Sequence, residues 1–219
     1  PEGNSRINVK VKHGDETEIN GQGPVITEEA INELFAKLDT LTKEDILVLA
    51  GSIPNTLPED IYEKILASLE SKGIRVVVDA TKDLLLNVLK YHPFLIKPNN
   101  HELGEMFGTV CKTDEDIVHY AKKLQEKGAV NVLISMAGDG AILITEDGQN
   151  IKMGTPKGKV VNSVGAGDSM VAGFITGYIR GGNYEEALKS GTAAGSATAF
   201  SEGLASLEMY EKMLKQITE

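Results

Sequence analysis

Cysteine is nearly missing from this 219-residue chain. Cys111 stands alone, so no disulfide can form within the chain, which fits a reducing compartment such as the cytoplasm. No apolar run approaches the length of a membrane span, and no signal-peptide pattern opens the sequence. Positive charge is in deficit, with 22 Lys+Arg against 32 Asp+Glu, a net charge of −10. That balance argues against nucleic-acid or membrane partners but leaves room for an anionic substrate held by local groups. His13, His92, His101 and His119 are scattered without zinc spacing. The common nucleotide motifs are absent as well. No GxxxxGK[ST] occurs, which excludes a P-loop. A GxGxxG fingerprint would need glycine at position 170, where Met170 stands, and the helical pattern after it offers no further βαβ unit. Protein-kinase landmarks are missing too.

What is present reads as a globular α/β protein, 41% hydrophobic and 25% charged, of one domain with an appendage. Residues 1–24 form the appendage. From Arg6 to Lys12, Ile7, Val9 and Val11 alternate with Asn8, Lys10 and Lys12, which predicts a strand with one apolar and one polar face. His13-Gly14-Asp15 turns the chain into a partner strand at Thr17 to Asn20. Such a hairpin must pack on another body or subunit to be stable. Residues 25–219 form the main domain. Thr27 caps a first helix bearing Ile31, Leu34, Phe35 and Leu38 on one face. Ile46–Ala50, Ile74–Val78, Phe94–Ile96, Val132–Ile134 and Ala141–Thr145 read as strands. Helices are expected from Pro58 to Ser71, through the 80s, over Asp114–Lys127, and at about 166–180, 184–201 and 206–217. Strands without polar residues, alternating with helices, imply a mostly parallel sheet covered on both faces. Ligands bind such sheets beyond the carboxyl ends of the strands, and the polar residues there are Ser52, Asp79, Lys97, Asn99 and Ser135.

The most informative stretch runs from Val160 to Gly173. A glycine-rich turn at Gly165-Ala166-Gly167 opens a helix of small and apolar residues, so backbone N–H groups at a helix N-terminus are open to an anion. Asp168 sits in the first turn. It is either a helix cap, or a general base beside a phosphoryl site whose amides hold the developing charge.

These residues resemble a known family. Asn162-Ser163-Val164-Gly165-Ala166-Gly167-Asp168-Ser169 is similar to the C-terminal signature of the ribokinase-like sugar kinases, in their phosphofructokinase B branch. Lys97-Pro98-Asn99-Asn100-His101-Glu102 resembles the family's Lys-Pro-Asn-x-x-Glu motif, and Ser135-x-x-Gly138-x-Gly140-Ala141 its nucleotide-binding turn. Ser5 to Lys10 with Glu16 to Asn20 resembles the lid of the 1-phosphofructokinases. The resemblance implies a three-layer α/β/α fold with a small β lid that pairs two subunits into a homodimer. It implies phosphorylation of a small phosphosugar by ATP with Mg²⁺, fructose 1-phosphate to fructose 1,6-bisphosphate. Tagatose 6-phosphate or fructose 6-phosphate are the alternative acceptors.

The same resemblance assigns roles. Asp168 is implied as catalytic base, with the amides of Gly165, Ala166 and Gly167 as anion hole. Asn99 and Glu102 organise Mg²⁺ largely through water; without the resemblance they read as a helix start with a first-turn acid. Ser135, Gly138, Gly140, Gly165, Gly167, Lys157, Gly191 and Ser196 are implied on the nucleotide side. For Gly191 and Ser196, close helix packing is the competing explanation. For Lys157 it is an ordinary surface charge. Arg6, with Asn8, Lys10 and Ser52, is implied on the sugar-phosphate side, where a guanidinium fork matches phosphate geometry. Two departures stand out: Met136-Ala137 where the family often has Leu-Gly, and Asn162 where many members have Asp. Against the family the sequence also lacks opening strands, half of the lid and sugar-gripping residues, so Pro1 is expected to be an internal position. A chain without that part is expected to bind nucleotide with little sugar phosphorylation. Two other classes stay open, a dinucleotide-binding oxidoreductase and a non-catalytic nucleotide binder.

Overall fold

The computed structural model describes residues 5–13 and 15–218. The alternating segment near the start forms β1 (Asn8–His13), which pairs antiparallel with β2 (Asp15–Asn20) as a separate two-stranded sheet. The intervening turn residue, Gly14, lies outside the described residues, as does Pro1.

The apolar runs become a single six-stranded sheet. Its members are β3 (Ile46–Ala50), β4 (Arg75–Asp79), β5 (Leu95–Ile96), β6 (Asn131–Ser135), β7 (Ala141–Ile144) and β8 (Asn150–Met153), neighbours in chain order. β3 to β6 pair in parallel, and β7 and β8 are added antiparallel. The helices are α1 (Glu28–Asp39), α2 (Ile61–Leu69), α3 (Lys82–Leu86), α4 (Asn100–Met106), α5 (Asp114–Glu126), α6 (Ala166–Gly181), α7 (Tyr184–Ala199) and α8 (Leu207–Thr218).

The strand period of two divides the core. Val76, Val78, Ile96, Val132 and Ile134 face one way and pack with Leu38 of α1, Ile65 and Leu66 of α2, Leu103 of α4 and Leu124 of α5. Val77, Leu95, Leu133 and Leu143 face the other way, against Met170 and Phe174 of α6 and Leu188 of α7. The result is the expected three-layer sandwich, with α8 packed outside α7 through Met213. Burying side chains such as Phe174 and Leu133 contributes about 1.5–3 kcal/mol each. No helix among the described residues is long and apolar enough to cross a membrane.

Several local expectations need correction. The helix expected from Pro58 begins at Ile61, because the Pro58 carbonyl accepts the Ile61 N–H at 3.0 Å in a preceding turn. The segment leading to Gly165, next to the glycine-rich signature, forms neither helix nor strand. Instead the Val161 and Asn162 amides donate to the carbonyl of Ala199 at 2.8 and 3.1 Å, tying that segment to the end of α7. The short edge strand β8 has no counterpart among the expected strands.

Candidate active site

The polar residues at the strand ends meet on one side of the sheet. Asp79 closes β4, and Lys97 follows β5. Lys97 is only 6% exposed, and its ammonium lies 3.2 Å from Asp79 Oδ1. A buried ammonium without an anion would cost several kcal/mol, on the order of 3–5, so this pairing fixes where the side chain can rest. Burial pushes the Asp79 carboxyl above its ordinary range. Lys97 opposes that shift, and the charges of Asp168 and Glu102 add to it. Four charged groups from β4, β5, α4 and α6 therefore share one neighbourhood.

The loop into α6 builds the roof. Asn162 braces it, accepting the Val164 N–H at 3.2 Å and donating to the Glu202 carbonyl at 2.9 Å. Gly165 takes a left-handed conformation (φ 80°), which aims the first amides of α6 out of the turn. The Ala166 amide is already bonded to the Ser163 carbonyl at 3.2 Å. Gly167 is different: no acceptor meets its N–H among the described residues. A Cβ at Gly167 would stand 3.2 Å from Lys97 Nζ and 3.9 Å from Asp79 Oδ2, so the ion pair lies directly under the helix start. Asp168 is exposed, and with Asp79 it lines a cavity of about 340 Å³ walled by Val48, Ala50, Val171, Ala172 and Ile175. Ser169 and Thr198 share a hydrogen bond of 2.8 Å that ties this turn to α7.

Asn99 and Glu102 open α4 as a reciprocal cap. Asn99 Oδ1 accepts from the His101 and Glu102 amides at 2.9 and 2.8 Å, and Glu102 Oε2 accepts the Asn99 N–H at 2.8 Å. Asn99 also bridges to Ser135 at the end of β6. The oxygen of Asn99 is thus committed to two amides, while Glu102 uses only one oxygen in the cap. No group of three or more metal-binding side chains gathers among the described residues. The Glu102 oxygen not used in the cap is a donor of the kind that suits a cation taking few protein ligands and keeping its water, as Mg²⁺ does.

The turn between β6 and β7 holds Gly138 and Gly140. Gly140 (φ 91°) admits no side chain, since a Cβ would fall 2.0 Å from the Met153 carbonyl. At Gly138 a Cβ would meet nothing within 4 Å, which leaves that backbone open to a ligand. Ala137 is the site of one departure from the family pattern. It holds φ 48°, where glycine rests without strain. Ala137→Gly should therefore stabilise the fold by up to about 1 kcal/mol. Urea melts of the two proteins check it, through a higher midpoint at unchanged slope.

The remaining expected nucleotide residues are more dispersed. Gly191 faces α6: a Cβ there would meet the Met170 carbonyl at 2.9 Å, so close helix packing accounts for this glycine. Ser196 is buried in the same helix. Lys157 is exposed, with its amide bonded to Gln216 Oε1 at 3.0 Å.

Three of the residues expected on the substrate side converge. The Arg6 guanidinium donates through Nε to Asn8 Oδ1 and through Nη1 to Ser52 Oγ, each at 3.1 Å. The hairpin thus reaches the loop after β3. The side chain of Lys10, expected on the same strand face, lies outside the described residues. In the sequence, Asp79 stands out only as a polar strand end, and Lys97 as a polar strand end that opens the Lys-Pro-Asn-x-x-Glu motif. Their signal is a charge closing an apolar strand, and nothing local shows that the two pair.

Comparison with known proteins gives a consistent picture. Residues 2–209 match the sequence profile of the pfkB family carbohydrate kinases. The chain is 51% identical over 215 residues to the 1-phosphofructokinase of Bacillus subtilis, covering 98% of this chain and 71% of that protein. It is 37% identical to the D-tagatose-1-phosphate kinase of Bacillus licheniformis, covering 99% of this chain and 71% of the relative. Among solved structures, phosphofructokinase-2 from Escherichia coli superposes with a TM-score of 0.87 at 25% identity, over 98% of this chain and 71% of that one.

Proposed function

Because the chain belongs to the pfkB family of carbohydrate kinases, we propose that it moves the γ-phosphoryl group of ATP onto fructose 1-phosphate, forming fructose 1,6-bisphosphate. The observation that carries this reading is the stacking of charge at the start of α6: an open Gly167 amide above a buried Lys97, with Asp168 beside them. That is an environment for developing negative charge next to a proton acceptor.

In this reading Asp168 takes the proton of the acceptor hydroxyl. The α6 terminus at Gly165, Ala166 and Gly167 holds the transferred group, with Gly167 as chief donor, since the Ala166 amide is bonded within the turn. The nucleotide runs past Ser135, Gly138 and Gly140, toward Lys157 and Ser196. Glu102 would hold Mg²⁺, with Asn99 shaping that corner; the cation would supply positive charge to the phosphates. Arg6, Asn8 and Ser52 take the phosphate the sugar already carries, and Lys10 lies on the same strand.

A second reading is D-tagatose 1-phosphate as acceptor, favoured by the B. licheniformis relative. Both sugars bear a 1-phosphate, so Arg6 serves either. We also place the enzyme in the cytoplasm, as a homodimer through the hairpin, where Ile7 and Ile19 are 68% and 60% exposed. A coupled ADP-release assay with Mg-ATP separates the acceptors. Fructose 1-phosphate should give the highest kcat/KM, ahead of tagatose 1-phosphate and fructose 6-phosphate. Preference for fructose 6-phosphate would reject the assignment of substrate.

A further inference from the structure

The buried Lys97 is paired with Asp79, a carboxylate that also feels the charges of Asp168 and Glu102. Its ammonium sits 3.2 Å from Asp79 Oδ1, directly under Gly167. Asp168, the next residue along, makes no ion pair among the described residues. This matters because a carboxylate bonded to an ammonium is a poor proton acceptor: the cation stabilises its charged form. Something must keep the nearest buried cation off the base. Asp79 is placed to do so. Its backbone is held at the end of β4, opposite Ala50 in the parallel register, and its carbonyl accepts the Gly51 N–H at 3.0 Å. The groups facing its carboxylate are Lys97 after β5, Asp168 from α6, Glu102 from α4 and Tyr62 from α2. Tyr62 donates its hydroxyl proton to the Ala50 carbonyl at 2.9 Å, and Lys97 is the one cation in the set.

We propose that Asp79 is a positioning residue for phosphoryl transfer: it anchors the Lys97 ammonium beneath the α6 terminus and so keeps Asp168 unpaired and available as base. The proposal rests on the kinase reading for its consequence, and on geometry alone for the anchoring. With Asp79 neutral, Lys97 would be a buried cation without its partner, and Asp168 and Glu102, whose charges already reach the Asp79 carboxyl, are the anions it would turn toward.

The test is Asp79→Asn, nearly identical in volume, with two readouts. The crystal structure of the variant should show Lys97 Nζ moved within hydrogen-bond distance of Asp168 or Glu102. In turnover, kcat should fall by about tenfold or more, while the dissociation constant for ATP changes little, and Asp79→Glu should recover most of kcat. Lys97 unmoved in the variant crystal would overturn the proposal, and so would wild-type kcat. A loss of ATP affinity in step with kcat would mark Asp79 as merely structural. If the parent protein phosphorylates no sugar phosphate, the kinase reading fails separately, and the position of Lys97 still decides the anchoring. Should Asp79→Asn not fold, Asp79→Ser removes the same charge and is read in the same way.

Discussion

Asp168→Asn should lower kcat for sugar phosphorylation by about 10³-fold while leaving ATP affinity nearly unchanged. The substitution keeps size and hydrogen-bonding reach but removes the carboxylate charge and with it the basicity needed to accept a proton. Asp168 is exposed in the first turn of α6, and no ion pair or side-chain cap is built on it among the described residues. The fold therefore has little to lose. A helix-capping role predicts the reverse, a lower melting temperature by about 1 kcal/mol of stability with activity preserved in proportion to folded protein. Measuring kcat, ATP binding by calorimetry and the thermal melt on one sample separates the two readings. Wild-type turnover in the Asn variant would remove Asp168 from the chemistry.

The second large effect is expected at Arg6. Replacing it by Ala should reduce kcat/KM for fructose 1-phosphate by about 10²-fold, since two charge-assisted hydrogen bonds of roughly 1.5 kcal/mol each would be lost. The guanidinium is already oriented: it bridges Asn8 Oδ1 and Ser52 Oγ, linking the hairpin to the loop after β3. A phosphate arriving there would exchange neutral acceptors for charged ones. The control is an acceptor without a phosphate. With fructose itself, Arg6→Ala should match the parent protein. An equal loss with both sugars would mean that Arg6 holds the hairpin in place and does not read the phosphate. Activity with fructose 1-phosphate unaffected by the substitution would move the phosphate site elsewhere.

How much of the molecule is legible in its sequence varies with the physics involved. Strands buried on both faces announce themselves by unbroken apolar runs, so the run at Val76–Val78 is legible at once; Ile46–Ala50 gives the same signal and is a strand, but an edge strand whose Val48 and Ala50 are exposed. β8 is not, because Asn150–Met153 is a four-residue edge strand with alternating exposure and only β7 to pair with. Pro58 suggests a helix start by its own preference, and a turn closed by its carbonyl overrides that preference. At the site, the glycine-rich entry to α6 and the capping box at Asn99 are local motifs, visible along the chain. The pairing of Asp79 with Lys97 is not local. It follows from two strand ends being neighbours in the sheet, a fact of register that no window of sequence contains. Gly191 shows the opposite case. A small residue is compatible both with a ligand wall and with close helix packing, and only the distance to Met170 explains it by packing.

The central claim, transfer of a phosphoryl group from ATP to a phosphosugar, is tested most directly by the ADP-release assay. It is run on the full-length protein with Mg-ATP, with and without fructose 1-phosphate. ADP release should depend on the sugar phosphate, with fructose 1,6-bisphosphate formed in equal amount. ADP release indifferent to the sugar phosphate, or none at all with any phosphosugar while NADH binds tightly, would contradict it.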